Sequence, residues 1–108
     1  MKDLDRDDDC PEDAPRPDGA IVRDLAIVNK KGLHARATAK FVQCVETFDC
    51  EVSVSRCGET VGGTSIMGIL TLGAGIGSTI RVAAVGPQAQ SAIEAIASLV
   101  ANRFGEDE

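Results

Sequence analysis

Apolar residues cluster from Ala20 to Val28, where Ile, Val and Leu surround Arg23 and Asp24, and this pattern predicts a strand. Lys30-Lys31-Gly32 breaks it. From Ala35 to about Phe48 the residues Ala35, Ala39, Val42, Val45 and Phe48 recur at helical spacing. Glu51 to Arg56 alternates around Val52 and Val54, the signature of a half-buried strand. Cys57-Gly58 then turns the chain into a short strand, Glu59 to Gly62, so the two strands form a hairpin. Ser65 is placed to cap a short helix from Ile66 to Leu72 through its hydroxyl. Thr79 to Val85 is a further strand, with Ile80, Val82 and Ala84 on one face and Arg81 on the other. After Gly86, Pro87 suits a first helical position, and the last helix runs from about Gln88 to Arg103. Its apolar stripe takes in Ala89, Ala92, Ile93, Ile96, Leu99, Val100 and Phe104.

The order β-α-β-β-α-β-α specifies an α+β fold. It is a two-layer open-faced sandwich, a four-stranded antiparallel sheet with three helices on one face. Gly73-Ala74-Gly75-Ile76-Gly77 has a helix before it and a strand after it. That is the reverse of a dinucleotide-binding fingerprint, so these glycines read as a helix end and loop. Tyr and Trp are absent and Phe is scarce, so the core must rest on Val, Ile, Leu and Ala. A chain of 108 residues has room for one modest core of this kind.

Charge divides the chain in two. Residues 1–19 hold eight acids against Lys2, Arg6 and Arg16, together with Pro11, Pro15 and Pro17. Too little apolar surface accompanies them to offset the ordering entropy, so this stretch is expected to be a disordered acidic arm. Residues 20–108 form the folded domain. The N-terminus is acidic where a signal peptide would be basic and then apolar, and no run reaches the roughly 18 apolar residues of a membrane span. The expectation is a cytoplasmic monomer with neither nucleic acid nor membrane as partner. Cys10, Cys44, Cys50 and Cys57 form no C-x-x-C pair and read as four reduced thiols. A metal site from Cys44, Cys50 and Cys57 is disfavoured by their spacing, and no cofactor site is evident.

The chemistry concentrates at Asn29-Lys30-Lys31-Gly32-Leu33-His34-Ala35-Arg36-Ala37-Thr38-Ala39-Lys40. A helix opens at Ala35 without Ser, Thr, Asp or Asn before it; the sole histidine of the chain stands at the cap position. The leading N–H groups, of Ala35, Arg36 and Ala37, therefore need an acceptor from elsewhere. Free N–H groups and the positive end of the helix dipole make an anion site. Lys30, Lys31, Arg36 and Lys40 add positive charge with no acid among them in sequence. A phosphate here would complete the cap and meet the forked guanidinium of Arg36. Charge and spacing alone leave a solvated polar histidine as an open reading.

Gly32-Leu33-His34-Ala35-Arg36 resembles the active-site motif of the histidine-containing phosphocarrier (HPr) family of the phosphoenolpyruvate-dependent phosphotransferase system. Phe41-Val42, Ser65-Ile66-Met67-Gly68, Leu72-Gly73 and Gly86 continue the resemblance in register, over about residues 20–105. The resemblance implies that His34 accepts a phosphoryl group from phosphorylated enzyme I, on the ring nitrogen nearest the backbone. It would pass the group to an enzyme IIA-type acceptor, in sugar uptake or a nitrogen-related relay. Such a carrier is phosphorylated stoichiometrically and is not a stand-alone enzyme. Arg36 and the N–H groups of Ala35, Arg36 and Ala37 would hold the phosphate. Ser65 corresponds to the serine that a dedicated kinase modifies in some members. Lys30, Lys31, Lys40, Met67 and Leu70 are the expected docking residues for partners. Two positions depart from the family's pattern: Ala37 stands where Pro is common, and Thr64 where Lys often precedes the serine. The alternative is a regulatory protein-binding module of the same fold, without transfer, controlled through Ser65.

Overall fold

The elements follow the predicted order in a computed structural model that describes residues 19–106; the acidic arm expected over residues 1–19 lies outside them, save Gly19. They are β1 (Ile21–Ala26), α1 (Ala35–Glu46), β2 (Glu51–Arg56), β3 (Glu59–Gly62), α2 (Ile66–Thr71), β4 (Thr79–Val85) and α3 (Ala89–Ala101). A short 3-10 turn, Arg103–Gly105, comes after α3. The strands form one sheet in the order β1-β4-β2-β3, and every neighbouring pair is antiparallel.

Register explains which face is buried. Leu25 stands opposite Ile80, Val54 opposite Val82, and Val52 opposite Ala84. Opposed residues share a face, so one side of the sheet is lined by Leu25, Val52, Val54, Ile80, Val82 and Ala84, all buried. The helices cover this side with Phe41 and Val45 of α1, Ile69 of α2, and Ile93, Ile96 and Val100 of α3. On the other side Arg81 reaches Asp24 across the strands, Nε to Oδ1 at 2.8 Å. The β2–β3 connection has two residues, Cys57 (φ 53°) and Gly58 (φ 83°), between the paired Arg56 and Glu59. Two positive φ values in a two-residue loop give the turn whose twist matches a hairpin.

The structure corrects four details. Helix α1 stops at Glu46, because the Thr47 N–H and hydroxyl both donate to the Cys44 carbonyl and close the last turn. Its buried face is Ala37, Thr38, Phe41, Val42 and Val45, with Ala35 exposed at the open first turn. Pro87 lies ahead of α3, whose cap is Gln88; that side chain accepts from the Asp49 N–H at 2.7 Å, fixing the start one residue later. Phe104 is fully buried as its place in the apolar stripe requires, but it sits on the 3-10 turn beyond the helix.

The thiols agree with expectation at Cys44 and Cys50 and differ at Cys57. Cys44 and Cys50 are free, and burial pushes both above the usual thiol range, so neither is a ready thiolate. Cys57, at the exposed hairpin tip, is disulfide-bonded and not reduced.

Candidate functional site

The residues between β1 and α1 form a tight turn that leaves no freedom in where the helix begins. Gly32 has φ 68° and its N–H donates to the Asn29 carbonyl at 3.1 Å. The buried Asn29 amide returns a bond, Nδ2 to the Gly32 carbonyl at 2.9 Å. The Leu33 N–H donates to the Ala74 carbonyl at 2.9 Å, seating the turn on the glycine loop that follows α2. A Cβ on Gly32 would stand 2.5 Å from that carbonyl oxygen and 2.7 Å from Gly75 Cα. Glycine is required here by backbone conformation and by space together.

His34 is the N-cap of α1, with φ −79°, ψ −179° and no side-chain cap bond. The first helical bond runs from the Thr38 N–H to the His34 carbonyl at 2.8 Å. The N–H groups of Ala35, Arg36 and Ala37 lie ahead of that bond. Arg36 is exposed beside them, as are Lys30 and Lys31. Three donors and the positive end of the helix dipole thus stand at the histidine cap, with Arg36 exposed in the same first turn, an arrangement that can hold a dianionic group.

One partner of His34 was not visible in the sequence. The Glu106 carboxylate reaches His34, with Oε2 bonded to Nε2 of the ring. Its other oxygen, Oε1, accepts from Asn29 Nδ2 at 3.0 Å. The side chains of His34 and Glu106 are 27% and 17% exposed, so both are partly shielded from water. The Asn29 bond, then the bond and charge of His34 and the charge of Lys31, hold the Glu106 carboxyl below its ordinary range against a partial desolvation cost. Glu106 lies 72 residues from His34 in sequence, and the acid-rich ending Gly-Glu-Asp-Glu gives no periodic signal that would have placed it.

The C-terminus is steered there by three successive positive φ values, Arg103 (56°), Phe104 (54°) and Gly105 (79°). Such a conformation costs a non-glycine residue about 1–3 kcal/mol. Burying the Phe104 ring returns roughly 1.5–3 kcal/mol, and Lys40 Nζ donates to the Phe104 carbonyl at 2.6 Å. Lys40, expected as a docking residue, is thereby engaged within the chain.

Ser65 is an exposed N-cap whose Oγ accepts from the Gly68 N–H at 3.1 Å, as its position predicts. Helix α2 packs against α1 and carries Ile69 inward. Met67 is left 71% exposed, Ile66 is exposed and Leu70 half-buried. Among the described residues no group of three or more His, Cys, Asp or Glu side chains could hold a metal ion, and no helix is long and apolar enough to cross a membrane.

Residues 21–102 match the family model described as the PTS HPr component phosphorylation site. The phosphocarrier protein HPr of Cupriavidus necator is 51% identical over 88 residues, 82% of this chain and 99% of that protein. A crystal structure of HPr-C-His from Thermoanaerobacter tengcongensis superposes with a TM-score of 0.78 at 36% identity, covering 82% of this chain and 99% of that one. The phosphocarrier protein HPr of Bacillus anthracis gives 0.74, also at 36% identity, over 77% and 99%. By sequence over the folded part and by topology, the chain belongs to the HPr family, the phosphocarriers of the phosphotransferase system.

Proposed function

We propose that this protein accepts a phosphoryl group on His34 from phosphorylated enzyme I and passes it to an enzyme IIA-type protein. The observation that carries the proposal is the placement of the imidazole at an uncapped helix start, with three N–H groups ahead of the first helical bond. The Nδ1 lone pair forms the N–P bond while the bond from phosphorus to the donor breaks, its electrons leaving with the donor. Little covalent work falls to other side chains; positioning and charge stabilisation by Arg36 and the N–H groups of Ala35, Arg36 and Ala37 do the rest. Lys30 and Lys31 would steer the partners, and Met67 and Leu70 would supply apolar contact beside Ser65. A kinase-borne phosphate on Ser65 would set two negative charges at the rim of that contact. The protein acts in the cytoplasm as a monomer, with no cofactor or metal, and neither nucleic acid nor a membrane is a partner.

Incubation with phosphoenolpyruvate and enzyme I should place one acid-labile phosphate on the chain, and the phosphorylated protein should pass it to an enzyme IIA. The variant His34→Ala should fold normally and accept none. Uptake of acid-labile phosphate by that variant would remove His34 from the reaction. A folded wild type that enzyme I never phosphorylates would favour the regulatory binding module instead.

A further inference from the structure

The ring of His34 has two nitrogens, and only the one carrying a lone pair can attack phosphorus. Oε2 of Glu106 is a carboxylate oxygen, which can only accept, so the ring nitrogen facing it must carry the proton. The geometry points to Glu106, held by Asn29, as a positioning residue that fixes the Nε2–H form of His34 and leaves the Nδ1 lone pair free for phosphorus. This inference rests on the transfer role proposed for His34.

Three observations support it. First, the carboxylate is oriented from both ends, Oε2 on the ring and Oε1 on Asn29. Second, Asn29 is fully buried, and Nδ2 spends its two hydrogens on two acceptors, the Gly32 carbonyl and Oε1. The turn that presents His34 is thus tied to the group that orients its ring. Third, Phe104 is buried and its carbonyl takes the Lys40 amine, so the backbone leading to Glu106 is anchored. A histidine oriented by a carboxylate on its remote nitrogen is a general device for setting which tautomer reacts.

The charge balance agrees with this role. When Nδ1 bonds to phosphorus, the proton on Nε2 stays and the ring becomes cationic. That charge forms beside the Glu106 carboxylate and is stabilised there. When the acceptor takes the phosphoryl group, the N–P electron pair returns to Nδ1 and the neutral Nε2–H ring is restored. The cost is a negative charge near an incoming phosphate, which Lys31, whose charge acts on that carboxylate, offsets.

The test compares the full chain with Glu106→Ala, Glu106→Asp and Asn29→Ala. Two readouts are needed: nitrogen-detected NMR of the neutral His34 ring and the rate of phosphoryl transfer from enzyme I. The wild type should show the proton on Nε2. Glu106→Ala should show a mixture of the two forms and a maximal rate lower by about 10-fold, with little change in the concentration giving half that rate. Glu106→Asp should recover part of both, and Asn29→Ala should lie between, with its folding checked by the retained amide spectrum. Wild-type rate and wild-type tautomer in Glu106→Ala would overturn the positioning role while leaving transfer through His34 intact. Faster transfer in that variant would overturn it too, marking the carboxylate as a repulsive obstacle. A wild type that takes no phosphate on His34 would instead defeat the transfer reading, and the NMR result would show which failure had occurred.

Discussion

His34 and Ser65 both stand at helix N-caps, and the difference between their side chains separates their roles. Ser65 satisfies its own helix, because its hydroxyl accepts the Gly68 N–H. His34 makes no such bond, so its helix start stays open to an outside anion. Ser65→Ala should therefore cost about 0.5–2 kcal/mol of stability, measured by denaturant unfolding, without touching phosphate uptake. Ser65→Asp keeps an acceptor at the cap and should fold normally, yet accept phosphate from enzyme I far more slowly. Its charge would be desolvated at the rim of the partner contact proposed for Met67 and Leu70. Equal transfer rates for Ser65→Asp and wild type at low protein concentration would confine Ser65 to capping. Glu106 adds a pH dependence whose sign is fixed. Its carboxyl is held below the ordinary value of 4.5, so the folded state binds its proton less readily than the unfolded chain. The stabilisation is whole above that value and is lost as pH falls through the lower, folded-state one. Glu106→Gln should remove that part of the acid-side decline, and an unchanged pH–stability curve would show that the pair adds nothing to folding.

At the scale of elements, the turn before α1 governs the site. Gly32→Ala combines a positive φ with a Cβ only 2.5 Å from a backbone carbonyl oxygen that cannot retreat without moving the 73–77 loop. The substitution should cost more than the roughly 0.5–1 kcal/mol usual for glycine positions, and should slow transfer by shifting His34 against its helix. A variant with wild-type stability and rate would mean that the 73–77 loop yields freely. This turn also shows what the sequence could reveal. The strands and helices were legible because alternation at Val52 and Val54, and helical spacing at Ile93, Ile96 and Val100, report directly which face is buried. The missing cap at His34 was legible for the same local reason. Glu106 was not, since a contact across 72 residues depends on where α3 ends and how the chain leaves it. Three consecutive positive φ values at Arg103, Phe104 and Gly105 decide that path, and only Gly105 signals it by residue type. Phe104 misled for a related reason: its apolar side chain fits the α3 stripe by spacing, while its backbone has already left the helix.

For the whole molecule, the C-terminal turn belongs to the core and to the site at once, and two truncations separate the roles. Ending the chain after Gly105 removes Glu106, Asp107 and Glu108 but keeps Phe104 in place, with Lys40 still on its carbonyl. That protein should melt close to the wild type at neutral pH while losing the tautomer control of His34. Ending it after Asn102 removes Phe104 as well, one of the largest fully buried side chains. Loss of a buried Phe ring costs about 3–5 kcal/mol, a large share of the roughly 5–15 kcal/mol that holds a small domain together. In a domain of this size each kcal/mol shifts the melting temperature by about 4–8 °C, so the shorter chain should melt at least 10 °C lower, roughly, or fail to fold. The core role and the site role can then be refuted separately. A short chain that melts like the wild type would show that α1 and α3 close over the vacated space, and that Phe104 is dispensable to the core. A chain ending at Gly105 that keeps the Nε2–H ring would show that another group sets the tautomer, with the core role of Phe104 untouched.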